Sequence, residues 1–232
     1  MPPMRLDYFL AHATGLSRKQ VKQLISSGAV TVEGIARPKS GHLLRGESVR
    51  LHGELVRLPG ERYLMLHKPA GVVCSTDDPQ HASVLTLLPP DQRRDLRIVG
   101  RLDIDTTGLL LLTTDGQWSH RITSPRTHCP KRYRATLAAP LNEHALQQLR
   151  DGVVLHDDPT PTRPALAEMI DDTVLLLTLT EGRYHQVKRM LAAVGNRVVA
   201  LHREAIGPLT LEADLSPAMF RALTDSEVAA LA

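Results

Sequence analysis

The sequence predicts an α+β protein in two parts. A small N-terminal domain covers residues 1–58, a linker 59–61, and a larger domain 62–232 whose sheet is mixed and mainly antiparallel. Three observations carry this reading. Strand-like runs outnumber helix-like ones and never alternate regularly with them, which argues against a doubly wound parallel sheet. Charge changes along the chain: before residue 59 there are nine Lys and Arg against four Asp and Glu, although the whole chain is only +3. Between the two parts, His52 to Arg62 is polar, carries Gly53, Pro59 and Gly60, and reads as a connecting segment.

Each element of the first domain has a local reason. Residues 5–12 form a short helix with Leu6, Phe9 and Leu10 inward. Ser17 caps a second helix in which Val21, Leu24 and Ile25 recur at helical spacing, and Gly28 stops it. Arg18 opens that helix, and Lys19 and Lys22 lie on its flank away from the deepest apolar residues. Ala29–Val32 alternates like a strand, Glu33-Gly34 is a tight turn, Arg37-Pro38 breaks the return strand, and Ser48–Leu51 is the last strand. With Arg5, these bases suit a polyanion; the alternative is a solvated basic helix with no partner.

The second domain opens with a strand at Tyr63–Leu66, a turn at His67–Gly71 and an extended Val72–Cys74. A helical turn at Val84–Leu88 ends at Pro89-Pro90, and Ile98-Val99 leads into a polar loop. Leu109–Leu112 follows, short and wholly apolar in the manner of a buried strand, closed by Thr113, Thr114 and Asp115-Gly116. Further strands are expected at Lys131–Thr136, Val153–Leu155, Val174–Thr180 and Arg197–Leu201. Helices are expected at Gln117–Ile122, from Asn142 to Leu149, and near His185 with Val187, Met190, Leu191 and Val194 inward. A last one runs to Leu231 with Thr224 and Glu227 as its capping box.

Several chemistries are excluded. No apolar run is long enough for a membrane span, and Met1-Pro2-Pro3-Met4-Arg5 is not followed by a signal core, so a cytoplasmic location with no membrane partner is expected. Cys74 and Cys129 lie far apart, which fits a reduced compartment. There is no glycine-rich phosphate loop and no dinucleotide fingerprint. His120, His128 and Cys129 lack a zinc spacing, and Asp103 and Asp105 have no third carboxylate nearby for magnesium. No metal and no cofactor are expected. Aromatic residues make up 3% of the chain, so a nucleic acid would be held through phosphates and shape more than through many stacking platforms.

Three polar clusters remain. Gly100-Arg101-Leu102-Asp103-Ile104-Asp105-Thr106-Thr107-Gly108 puts two carboxylates and an arginine at the rim of the core, where the leucine strand would fix them. On pattern alone these are more commonly turn residues with an ion-pair partner. Glu181–Arg189 opens a helix with Arg183, His185, Gln186 and Lys188, a setting for an anion or a solvated helix face. Tyr133 stands among Lys131, Arg132 and Arg134, either a partly buried strand residue or a group that stacks on a base.

Together the clusters stop looking independent. GRLDIDTTGLLLL (100–112), HKPAGVVCS (67–75), KRY (131–133) and EGRYHQVKRM (181–190) resemble the motifs of the A family of ribosomal small-subunit pseudouridine synthases. DGQWSHRITSPR and VGNRVVALHRE also look like that family. Two helices followed by short strands, with bases on the helix face, resemble the alpha-L RNA-binding domain of the fourth small-subunit ribosomal protein, which completes the family's architecture. The resemblance implies an isomerase that converts one uridine of 16S rRNA, uridine 516 in the enzyme it resembles, to pseudouridine without a cofactor. It implies that Asp103 is the essential carboxylate, as nucleophile or as base, and that Arg101 fills the stack the uridine leaves. Tyr133 would stack on the flipped base, and Lys188 would pair with Asp103 and keep it ionised. Arg183, His185 and Gln186, with Gly182, would shape the pocket, while Arg5, Arg18, Lys19 and Lys22 hold RNA. Lys188 and Arg189 point about a hundred degrees apart on a helix, so only one can face Asp103. The partner is 16S rRNA or a small-subunit assembly intermediate, and a monomer is expected. The rival reading is a non-catalytic ribosome-assembly factor that only holds RNA.

Overall fold

The computed structural model describes residues 3–231. Met1, Pro2 and Ala232, the ends of the two expected domains and the start of the segment read for export, lie outside them. The chain divides between Gly60 and Glu61 into two compact units.

In the first unit, β1 (Met4–Arg5) runs into α1 (Leu6–Thr14), followed by α2 (Arg18–Ser26), β2 (Val30–Val32), β3 (Leu43–Leu44), β4 (Val49–Leu51) and β5 (Glu54–Leu55). Ser17 caps α2 in a reciprocal box with Gln20, and the chain leaves α2 through Gly28 at φ +80°. Leu6, Leu10, Val21, Ile25, Val30, Val32, Leu44 and Val49 form the core. The segment read as a connection from His52 onward instead turns at His52-Gly53, and β5 pairs back on β4. A two-residue strand has no periodicity to announce it. The same holds for the β1–β3 pair.

The second unit contains β6 (Tyr63–Lys68), β7 (Arg97–Val99), β8 (Thr107–Thr113), α3 (Gly116–Thr123), β9 (Lys131–Leu137), α4 (Glu143–Asp151), β10 (Leu166–Asp171), β11 (Val174–Leu179), α5 (Gln186–Ala193), β12 (Val198–Ile206), β13 (Leu209–Thr210), β14 (Phe220–Ala222) and α6 (Asp225–Ala230). One sheet follows the order β10-β11-β9-β12-β8-β6-β14, with β13 added to β12 and β7 to β8. Every pairing is antiparallel except β12 with β8, where His202 faces Thr107 and Arg203 faces Gly108. The sheet is therefore mixed and mainly antiparallel, as the sequence predicts. The two edge strands β10 and β14 are unannounced: β10 buries only Ala167 among its six residues, and β14 has three residues.

β8 is the spine of this unit. Leu109, Leu110, Leu111 and Leu112 are each fully buried, alternating between two apolar clusters on the faces of the sheet. Each contributes about 2 kcal/mol of gross burial energy. α3 is capped by Asp115, which accepts from the backbone of Gln117 and Trp118, and its Trp118 lies edge-on to Tyr63. α4 and α5 cover a third cluster with Leu146, Leu149, Val187, Met190 and Leu191. No helix among the described residues is long and apolar enough to cross a membrane.

Candidate active site

The Gly100–Thr106 loop joins β7 to β8 where β8 meets its parallel neighbour. Two fully buried cations hold its backbone. Lys68, the last residue of β6, donates from Nζ to the carbonyls of Thr106 at 2.8 Å, Pro69 at 3.0 Å and Ile104 at 3.4 Å. Burial pushes this amine below the ordinary lysine pKa, against the pull of Cys74, Asp105 and Asp103. Arg203 of β12 donates from Nε to Leu109 O at 2.8 Å, from Nη2 to Gly100 O at 3.2 Å and from Nη1 to Arg101 O at 3.5 Å. The amides are used as well: Gly71 N–H donates to Ile104 O, and Leu102 N–H to Cys74 Sγ. Thr106 N–H closes a turn onto Asp103 O at 3.1 Å. With its backbone satisfied inward, the loop presents Arg101, Ile104 and Asp105 outward and leaves the Asp103 side chain 25% exposed.

The partner of that carboxylate comes from α5. Lys188 Nζ lies 3.0 Å from Asp103 Oδ2 and 2.6 Å from Asp105 Oδ1, so one ammonium bridges both loop carboxylates. Burial opposes the Lys188 charge, but its hydrogen bonds to Asp105 and then Asp103 outweigh it and raise its pKa. The same bond holds Asp105 below the usual carboxylate range. His185 Nε2 lies 3.4 Å from Asp103 Oδ1. Arg189 turns away, to Tyr184 O and Asp157. The choice between Lys188 and Arg189 thus falls on Lys188.

The start of α5 is fixed by its own polar side chains. Gln186, buried, donates to Glu181 Oε1 at 2.7 Å and accepts from Arg183 N at 2.8 Å. The Arg183 guanidinium reaches Asp158 Oδ2 at 2.9 Å and the carbonyls of Thr160 and Pro161, both at 2.7 Å. These two residues build the wall of the pocket and hold the neighbouring loop. Tyr133 on β9 is partly buried against two apolar clusters. Arg101, Asp103, Tyr133, Arg183, His185, Gln186 and Lys188 all line one cavity of about 1000 Å³. Sequence reasoning missed Lys68 and Arg203. Both stand inside the family-like motifs, and a cation continuing or interrupting an apolar strand is the signal that could have found them. Among the described residues, no cluster of three or more His, Cys, Asp and Glu could hold a metal.

In the first unit Arg18, Lys19 and Lys22 are exposed on α2. Arg5 is committed to a forked pair with the buried Asp7, at 3.0 and 2.7 Å. Its exposed charge is largely cancelled there, unlike those on α2.

Because Asp105 holds Lys188 from the solvent side, Asp105→Asn is expected to leave Lys188 on Asp103 and to slow turnover by less than about tenfold, or ~1.4 kcal/mol. Single-turnover rates against the parent chain measure this. A loss as large as that of an Asp103 variant would make Asp105 part of the chemistry.

The family model described as RNA pseudouridylate synthase matches residues 62–193, and the S4 domain model matches residues 4–49. The ribosomal small subunit pseudouridine synthase A of Escherichia coli K12 is 52% identical over 98% of this chain and 100% of its own length. That of Vibrio cholerae is 49% identical over 98% and 99%. A crystal structure of a pseudouridylate synthase superposes with a TM-score of 0.73 at 44% identity, covering 99% of this chain and 100% of that one. The loop carboxylate between a lysine and a histidine, the cavity around it and these likenesses over the full length agree: the chain belongs to the RNA pseudouridylate synthase family.

Proposed function

We propose that this enzyme converts one uridine of the small-subunit 16S rRNA, at position 516, to pseudouridine, using Asp103 and no cofactor. The N1–C1′ bond breaks, the uracil turns, a C5–C1′ bond forms, the C5 hydrogen leaves to solvent and N1 gains a proton. No redox change and no phosphoryl transfer occur, so the chemistry asks for one positioned carboxylate and a pocket for a flipped base. The carrying observation is Asp103 itself, pinned by its backbone, paired with Lys188 and opening into the cavity. That supports a nucleophile at C1′ and a base at C2′ equally. A factor that merely held RNA would gain nothing from a carboxylate there, since it repels phosphate.

In this reading Arg101, exposed on the loop, enters the vacated stack, and Tyr133 supports the extruded base. Residues 1–58 are the RNA-binding domain and 62–232 the catalytic one, acting as a monomer in the cytoplasm on rRNA or on an assembling small subunit. The test is to map pseudouridines in 16S rRNA from cells with and without the protein. One pseudouridine that disappears and returns with the active gene is expected, and an unchanged map overturns the proposal. A second expectation concerns α2. Replacing Arg18, Lys19 and Lys22 by Gln should weaken rRNA binding and reduce the slope of log K against log salt by up to about 2–3, near one per lost phosphate contact. Binding titrations at several salt concentrations read this, and an unchanged slope would make these bases solubilising charge only.

A further inference from the structure

Tyr184 is 73% exposed, the most exposed aromatic side chain among the described residues of a chain with only seven. A lone apolar residue on a surface is ordinary, but this one is built in. Its ring stacks on His185 with centroids 3.8 Å apart and planes 22° from parallel. His185 in turn reaches Asp103 at 3.4 Å, so two rings lead outward from the reacting carboxylate in a row. Both residues line the cavity.

The backbone beneath is fixed in a conformation that ordinary residues avoid. His185 has φ +47° and ψ +34°, left-handed, which costs of order 1–3 kcal/mol and persists only where the surroundings impose it. They do so here. Arg189 donates to Tyr184 O at 3.0 Å, its own amide donates to His185 O at 3.0 Å, and Gln186 accepts from Arg183 N at 2.8 Å. Tyr184 is therefore carried on a fixed backbone at the edge of the cavity, with one face on His185 and most of its surface in solvent.

We propose that Tyr184, backed by His185, is a stacking platform for an unpaired nucleobase next to the target uridine. The proposal rests on the function given above and adds to it a second base subsite, distinct from Tyr133. An aromatic face takes any base, purines better than pyrimidines because they offer more area, and rejects an abasic residue. The cavity, about 1000 Å³, is at the upper end of what one small ligand occupies. It follows that the neighbouring nucleotide must be unpaired in the substrate.

The test pairs protein and RNA changes. Short single-stranded RNAs spanning the target, with each neighbour replaced in turn by an abasic residue, are assayed for binding and for pseudouridine with the parent chain, Tyr184→Ala, Tyr184→Phe and Tyr184→Leu. Tyr184→Ala is expected to weaken binding roughly tenfold, Phe to stay within about twofold, and Leu to resemble Ala. At one neighbouring position the abasic RNA should lose about as much with the parent chain and nothing further with Tyr184→Ala. Losses that multiply at every position, or unchanged binding by Tyr184→Ala, overturn the platform. So does a Leu variant equal to Phe, which would point to an apolar protein contact instead. Because binding is read apart from turnover, an RNA that binds with this pattern but is never isomerised would refute the proposed function and leave the platform standing.

Discussion

Asp103→Asn is expected to abolish isomerisation, by at least about three orders of magnitude, while the protein folds and binds RNA almost as before. The rate argument is chemical: an amide is neither a nucleophile at C1′ nor a base at C2′, and no second carboxylate can take its place. Asp105 lies on the outer side of Lys188 and is 65% exposed at its side chain. The folding argument is structural. The loop is held through its carbonyls and amides by Lys68, Arg203, Gly71 and Cys74, and Asp103 contributes only its backbone oxygen, which Asn retains. Losing the partly exposed pair with Lys188 costs about 1 kcal/mol or less. Release of tritium from uridine labelled at C5, measured beside urea unfolding and RNA titration, tests all three parts. Tritium release at the parent rate would remove Asp103 from the mechanism.

What the sequence made legible follows from range. Elements governed by a few neighbouring residues were readable: the Ser17 cap, the Thr224 capping box, the Asn142 cap, the apolar face of α5 and the buried leucine strand all appear where local pattern puts them. The mixed, mainly antiparallel sheet could be argued from the lack of strand–helix alternation. The pairing order could not, because the β12–β8 contact joins residues about a hundred positions apart and no local signal records it. The site divides the same way. Asp103, Lys188 and Tyr133 entered through motifs, whereas the selection of Lys188 over Arg189 needed the helix's rotation, which is set by burying Val187, Met190 and Leu191. Lys68 and Arg203 were invisible as site residues because a cation in an apolar strand reads as a flaw until its acceptors, the carbonyls of a distant loop, are in view. Arg183 shows the converse. Its sequence setting suggests an anion ligand, yet its donors are used by Asp158, Thr160 and Pro161 to hold a wall.

Gly108→Ala is expected to be among the most damaging single-methyl changes in the chain. Gly108 sits at φ +111°, outside the range of residues with a side chain, and a Cβ there would lie 2.3 Å from the carbonyl oxygen and 2.6 Å from the nitrogen of Arg203. Both are backbone atoms of β12, so no rotamer change relieves the overlap, and the parallel β8–β12 contact must open. Two consequences are linked. Separation of the strands lowers stability by about 4 kcal/mol or more, the range reserved for core-level defects. It also carries Arg203 away from the carbonyls of Gly100, Arg101 and Leu109, so the Gly100–Thr106 loop loses one of the two cations that satisfy its carbonyls. Gly182→Ala is the matched control. Gly182 lines the cavity, its φ is outside the left-handed range, and a Cβ would meet nothing within 4 Å, so a change within about 0.5 kcal/mol is expected. Urea unfolding of both variants, with tritium release measured well below each midpoint, separates the effects. Gly108→Ala should lose activity even where it remains folded, because the loop that carries Asp103 is no longer fastened to β12. Full activity in the folded fraction would show that Lys68, Gly71 and Cys74 suffice to hold the loop and that the Arg203 contacts serve only the strand pairing.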